Sequence, residues 1–407
     1  MVTRYGEKQG NSLRARRPGH DVAGGKLNMG PLAGFRILEI GGIGPAPMAA
    51  MLFADMGATV LRLCRGDGSG PGLHKPPKLD LVMRGRRSLV VDLKNAKGIE
   101  LALSLMERSD AALEGFRPGA AERMGLGPTP ALARNPRLVY GRVTGFGQDG
   151  PLALAAGHDV NYIALTGALD MMGVAGGKPA IPANLLGDYA GGSLYLVIGM
   201  LCAMLEARVS GKGQIVDTAI VDGTSHLMTM IYALRAADLH SRPRGENLLD
   251  GGTALYNVYE CSDGKYVSIG PIEPKFRAIL FELIGIPPAK DSSDLQRQLE
   301  ALFKTRTRDE WTQLLEGSDA CYAPVLSMEE APHHPHNLAR GTFVDIDGVS
   351  QPAPAPRFSR TSPPLPTAPE LPGTGGREAL LDWGFDEDEI EKLAASGAIK
   401  LREDTAA

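Results

Sequence analysis

The short β-prone run Arg36-Ile37-Leu38-Glu39-Ile40 leads directly into the turn-rich Gly41-Gly42-Ile43-Gly44-Pro45-Ala46-Pro47. A helical stretch, Met48 to Met56, and a second β-prone run, Thr59-Val60-Leu61-Arg62-Leu63, follow. Strand, glycine turn, helix and strand inside thirty residues constrain the chain to a βαβ unit, because two parallel neighbours need a crossover between them. The pattern recurs. Ser88 to Asp92 reads as a strand, Asn95 to Arg108 as an amphipathic helix capped by Asn95, and Ala111 to Glu114 and Leu138 to Val143 as further strands. The expected class is α/β with a largely parallel sheet.

Further along, Gly191 to Arg208 reads as a long buried helix closed by Ser210-Gly211-Lys212-Gly213, before the strand-like Gln214 to Asp217 and a second long helix from Asp222 to Ala237. Arg242 to Gly252 turns to Pro, Gly and Asn and reads as a linker. Tyr256 to Cys261 and Lys265 to Ile269, joined by Ser262-Asp263-Gly264, form a predicted hairpin that opens a smaller α+β unit. Gln351 to Gly376 is Pro-rich and reads as extended, and a last helix, Glu387 to Ser396, stops at Gly397. The expected division is a disordered leader over 1–28, with a natural start near Met29; a large unit over 29–220; a linker helix and loop over 221–255; a small domain over 256–340; and a last segment over 341–407.

Composition removes several function classes. With 43 Lys+Arg against 47 Asp+Glu the formal charge is −4, which argues against a nucleic-acid partner. The longest apolar run, Leu194 to Leu205, is 12 residues, short of a bilayer span, so no membrane association is expected. Cys64, Cys202, Cys261 and Cys321 form no CxxC pair, which fits a reducing, cytoplasmic setting.

The glycine turn after the first strand lacks GxGxxG spacing and carries two prolines, so it reads as a tight turn with some ligand contact, not a dinucleotide site. Arg62, Arg65, Arg84, Arg86, Arg87, Lys94, Arg117 and Arg123 fall near successive strand ends, where doubly wound sheets bind ligands; a solvated basic face is the alternative. Gly157-His158-Asp159 places an imidazole after glycine, and Gly187-Asp188 places a carboxylate among glycines at the entry to a buried helix, a position equally suited to an N-cap. Glu273 sits near two prolines, where a surface turn carboxylate is the default and orienting a histidine from elsewhere the alternative. His333-His334-Pro335-His336 reads as a polar loop, and no metal is expected.

These segments together resemble the alpha-methylacyl-CoA racemases within the family III CoA-transferase group, over roughly Pro31 to Ile399. The resemblance rests on Gly34 to Glu39, Asp55-Met56-Gly57-Ala58, Val91-Asp92-Leu93-Lys94, Glu114 to Gly119, Gly145-Phe146-Gly147-Gln148, Gly157-His158-Asp159, Gly187-Asp188 and Ser210 to Gln214. His158 with Glu273 points to the racemase branch. It implies a large Rossmann-like domain built from both chain ends, 29–220 with 341–407, a small domain inserted late, and an interlocked homodimer with catalysis between subunits. It implies His158 and Asp188 as the two bases, with Glu273 orienting His158. It also implies Arg65, Val91, Asp92, Leu93, Lys94, Arg117, Arg123, Gly157, Asp159, Val160, Asn161 and Tyr162 as acyl-CoA contacts.

The chemistry suits these residue types. Inverting a carbon beside a thioester needs one group to remove a proton from one face and another to donate to the opposite face. The C–H acid lies roughly ten pKa units above imidazole, about 14 kcal/mol, so the enolate oxygen needs stabilisation as well. The Gly187-Asp188 amides are the expected donors. No cofactor is expected, CoA being part of the substrate. The competing expectation is CoA transfer to a carboxylic acid through an anhydride at Asp188; a silent CoA-binding protein is the third.

Overall fold

In a computed structural model, the structure describes residues 29–65 and 75–402. The leader expected over 1–28 lies outside the described residues.

The first half alternates strand and helix: β1 (Arg36–Ile40), α1 (Pro45–Asp55), β2 (Thr59–Cys64), β3 (Arg87–Val91), α2 (Ala96–Glu107), β4 (Ala111–Glu114), α3 (Ala120–Arg123), α4 (Pro128–Arg134) and β5 (Val139–Thr144). Next come α5 (Asp159–Ala164), α6 (Ala168–Met171), a π-helical segment (Leu185–Leu194), α7 (Tyr195–Ser210), β6 (Ile215–Ala219), α8 (Ile220–Leu227) and α9 (Thr229–Ala236). One sheet results, in the order β12-β3-β2-β1-β4-β5-β6, parallel from β1 to β6. Both faces are covered, so its strands read as continuous apolar runs. Phe53 of α1, Met56 just beyond it, and Leu196 and Met200 of α7 fill one side. Leu101, Leu105 and Trp383 fill the other.

Helix α1 begins at Pro45, earlier than the expected Met48, because proline is tolerated in the first helical position and Gly44 supplies a backbone of φ 66° and ψ −115° that other residues avoid. The helix expected over Asp222 to Ala237 is two, parted at Met228, where the Thr229 hydroxyl donates to the His226 carbonyl and competes with the helical bond.

The second half carries β7 (Asn257–Glu260), β8 (Tyr266–Ile269), α10 (Pro274–Ile284), α11 (Ser293–Phe303), α12 (Arg308–Leu315) and β9 (Tyr322–Pro324). The predicted hairpin is present, and β9 adds an unforeseen third strand to it. Tyr259, Phe281, Phe303 and Trp311 give this unit its own apolar core. After α13 (Pro335–Arg340) and the hairpin β10 (Phe343–Ile346) and β11 (Val349–Pro352), the chain runs without regular structure to α14 (Gly376–Asp382). Helix α15 (Glu387–Ala395) and β12 (Ile399–Lys400) return it to the large sheet, antiparallel to β3. The two-residue β12 was not foreseen.

The π-helical segment and α7 run on as 26 helical residues, long and apolar enough by length and composition to cross a bilayer. This exceeds the 12-residue estimate from the unbroken apolar run. Half of the most apolar stretch is buried, as in a core helix, while Leu194, Ile198, Leu205 and Val209 remain exposed. The buried side meets α8 backbone to backbone: a Cβ at Gly223 would stand 1.9 Å from the Gly191 carbonyl oxygen, and one at Gly191 2.4 Å from Thr224 Oγ1. Gly191→Ala is therefore expected to cost about 1–3 kcal/mol through overpacking, read as a lowered urea midpoint. An unchanged midpoint would show that the two elements can part freely.

Candidate active site

Strand order reverses between β1 and β4, so a crevice opens beyond their C-terminal ends, the usual ligand position in such sheets. Gly41 to Gly44 forms one wall and Gly115 to Gly119 the other; a Cβ at Gly42 would lie 3.7 Å from the Gly115 amide nitrogen. Glu114, buried at the end of β4, accepts from the Phe116 amide at 2.6 Å and from Arg142 Nε at 2.8 Å, fixing the second wall. Sequence reasoning missed this role, although Glu114 stood in a quoted motif.

The π-helical segment delivers Asp188 to the first wall: a Cβ on Gly44 would sit 3.0 Å from its Oδ2. Ser193 Oγ, bridging the Pro45 and Asp188 carbonyls at 2.8 and 3.0 Å, ties the segment to α1. Asp188 is half-buried, and burial pushes its carboxyl above the usual range. The Asn184 hydrogen bond, 3.3 Å to Oδ2, opposes this; the Asp159 charge adds to it, and the His158 charge opposes it again. His158 and Asp188 thus share one electrostatic environment.

His158 is exposed and precedes α5. Its backbone is held by Asn161, whose Oδ1 accepts from the His158 amide at 3.0 Å and whose own amide donates to the His158 carbonyl at 2.8 Å. Tyr162 donates its hydroxyl to the Gly157 carbonyl and packs edge-on to Phe146 at 4.9 Å. The Asp159 carboxylate turns inward and accepts from the Asp188 amide at 2.6 Å. This overturns the expected oxyanion pair, since the Asp188 amide is already taken. Asn161, Tyr162 and Asp159, expected as CoA contacts, spend their side chains on bracing.

Among the other expected residues, Arg65, Lys94, Arg117 and Arg123 are exposed beyond β2, β3 and β4. Val91 is buried in β3, and Asp92 caps the next turn through the Lys94 amide at 2.9 Å, with Leu93 between them. Gly157 and Val160 flank the His158 turn. Three of the arginines noted in the sequence belong elsewhere: Arg84 pairs with Asp55, and Arg86 and Arg62 face the buried Glu39. Neither a phosphate cradle nor a solvated face describes them. Glu273 is exposed at the start of α10, and among the described residues no hydrogen bond or ion pair joins it to His158. His334 Nε2 lies 2.8 Å from Glu316, and no group of three or more candidate metal ligands occurs among the described residues. Hollows of about 290 Å³ beside α10 and about 370 Å³ at the opposite end of the sheet, near Asn135 and Arg208, lie away from Asp188.

A half-buried carboxylate at the switch point of a parallel sheet, its amide bonded by the chain neighbour of an exposed imidazole, defines an α/β protein equipped for proton or acyl transfer. More narrowly, the chain belongs to CoA-transferase family III, whose model matches residues 32–376. It is 39% identical over 373 residues to a Mus musculus protein named alpha-methylacyl-CoA racemase, covering 89% of this chain and 96% of that one. It is 38% identical over 380 residues to the Homo sapiens protein of the same name, covering 91% and 97%. A CAIB/BAIF family protein from Brucella suis superposes with a TM-score of 0.76 at 26% identity, over 87% of this chain and 100% of that one.

Proposed function

We propose that the protein is an isomerase that epimerises the α-carbon of 2-methylacyl-CoA thioesters, between 2R and 2S, by two-base proton transfer through an enolate. The Asp188 carboxylate against the Gly44 wall of the crevice, with its amide bonded by Asp159, the chain neighbour of His158, carries this reading, and the likeness to two proteins named racemase supports it. One base removes the α-proton, and the other, on the opposite face, returns one to the planar enolate. The amides of Asp159 and Val160, leading α5 beside His158, take no partner among the described residues and are assigned to the enolate oxygen in place of Gly187 and Asp188. The exposed Arg65, Lys94, Arg117 and Arg123 are assigned to CoA. No cofactor enters this scheme.

The protein is further read as an interlocked homodimer, a large domain from both chain ends with a small domain between, in a reducing cytoplasm that suits its four free thiols. Leu194, Ile198, Leu205 and Val209, with Leu227, Met230 and Tyr232, form exposed apolar faces suited to a second copy. Glu273, which makes no hydrogen bond or ion pair with His158 among the described residues, would then serve it as the partner's Glu273.

The test is NMR of the protein with (2S)-2-methylacyl-CoA in deuterated water. Deuterium at C2 with appearance of the 2R epimer, no acceptor acid being present, is the expected outcome. Turnover only after a carboxylic acid is added would assign anhydride-mediated CoA transfer instead. The pH profile is also fixed in sign. Because the Asp188 carboxyl is raised, its basic form is lost on acidification at a higher pH than an ordinary carboxylate's. Asn184→Ala removes a hydrogen bond that favours the carboxylate and is expected to move the acidic limb higher still. A limb that stays put would remove Asn184 from the site.

A further inference from the structure

We propose that Asp159 is a positioning residue: its carboxylate clamps the Gly187-Asp188 turn and so sets where the Asp188 base stands relative to His158. The proposal rests on the racemase reading. Asp159 is 6% exposed, and its Oδ1 lies 2.6 Å from the Asp188 amide nitrogen. The approach is too close for any residue but glycine at 187, where a Cβ would stand 2.4 Å from that oxygen. Asp159 Oδ2 is buried without a partner among the described residues, beside a second carboxylate. Burying a charge in that way is costly and serves no capping need that Ser or Asn would not meet. What the carboxylate achieves is mechanical. His158 and Asp159 are chain neighbours, so one residue carries one base while the next grips the turn bearing the other. Two bases that must flank a single carbon are thereby spaced by a strut one residue long, stiffened by Asn161 and Tyr162.

The experiment follows α-proton exchange of each C2 epimer separately in deuterated water, for the wild type and for Asp188→Ala, Asp159→Ala and Asp159→Asn. Wild-type exchange of both epimers upholds the racemase reading; its absence would sink that reading before Asp159 is tested. Asp188→Ala identifies the epimer whose exchange needs Asp188. Asp159→Ala is expected to slow exchange of that same epimer by on the order of 10²-fold, the effect of misplacing a catalytic group by about 1 Å, and to spare the other. Asp159→Asn keeps an acceptor oxygen and the side-chain shape, so it is expected to fold and to show a milder loss, about tenfold, confined to the same epimer. Equal loss for both epimers in the Asn variant would assign a purely structural role. No loss for either would remove Asp159 from the reaction.

Discussion

Asp188→Ala is expected to abolish net epimerisation, by about 10²–10⁴-fold, while exchange of one epimer's α-proton continues. The asymmetry follows from the two faces. With only His158 left, the substrate whose proton faces the imidazole is still deprotonated and then reprotonated from the same side, gaining deuterium without inverting. The other epimer has no base and stays protonated at C2. His158→Ala should show the reverse, and the two variants together sort the epimers by base. Exchange lost for both epimers in both variants would mean that the groups act as a unit on one face, which is incompatible with a two-base transfer. The raised Asp188 carboxyl sharpens the test: in the wild type, the epimer that depends on Asp188 should lose exchange on acidification through the Asp188 titration.

The sheet is legible in the sequence for a physical reason. Buried on both faces, β1, β2, β4 and β5 are short apolar runs between glycine or polar turns, and the runs stand out without any partner being known. Strand β12 does not stand out, because two residues carry no period; it exists only because Val90 and Val91 offer an open edge. Asp188 and His158 were visible as residue types in unusual glycine settings. The inward turn of Asp159 was not, since its target amide lies 29 positions away. The same distance effect hid the ion pairs. Arg84 and Arg86 look like ligand-binding arginines when counted along the strands, yet the residues that claim them, Asp55 and Glu39, belong to other elements.

Arg84 is where the second large effect is expected. Its guanidinium meets Asp55 at 3.1 and 2.6 Å, and its Nη1 reaches Gln351 Oε1 at 2.9 Å and the Pro352 carbonyl at 2.7 Å. Both charged side chains are nearly fully buried, 4% and 2% exposed. One cation thus binds the end of α1 to the hairpin through which the chain returns to the large sheet. Arg84→Leu leaves the Asp55 charge buried without its partner and is expected to cost about 3–5 kcal/mol. The double variant Asp55→Leu with Arg84→Met removes both charges and should recover most of that loss, since a well-packed apolar pair replaces a buried ion pair at little net cost. Urea unfolding followed by tryptophan fluorescence gives the three midpoints, and Trp383 lies in the core beside the large sheet. A single variant within about 1 kcal/mol of wild type would show that water reaches Asp55 and screens it, as it does an exposed pair. A double variant no better than the single would place the stabilisation in Arg84's hydrogen bonds to Gln351 and Pro352, making the return hairpin the element that the arginine holds.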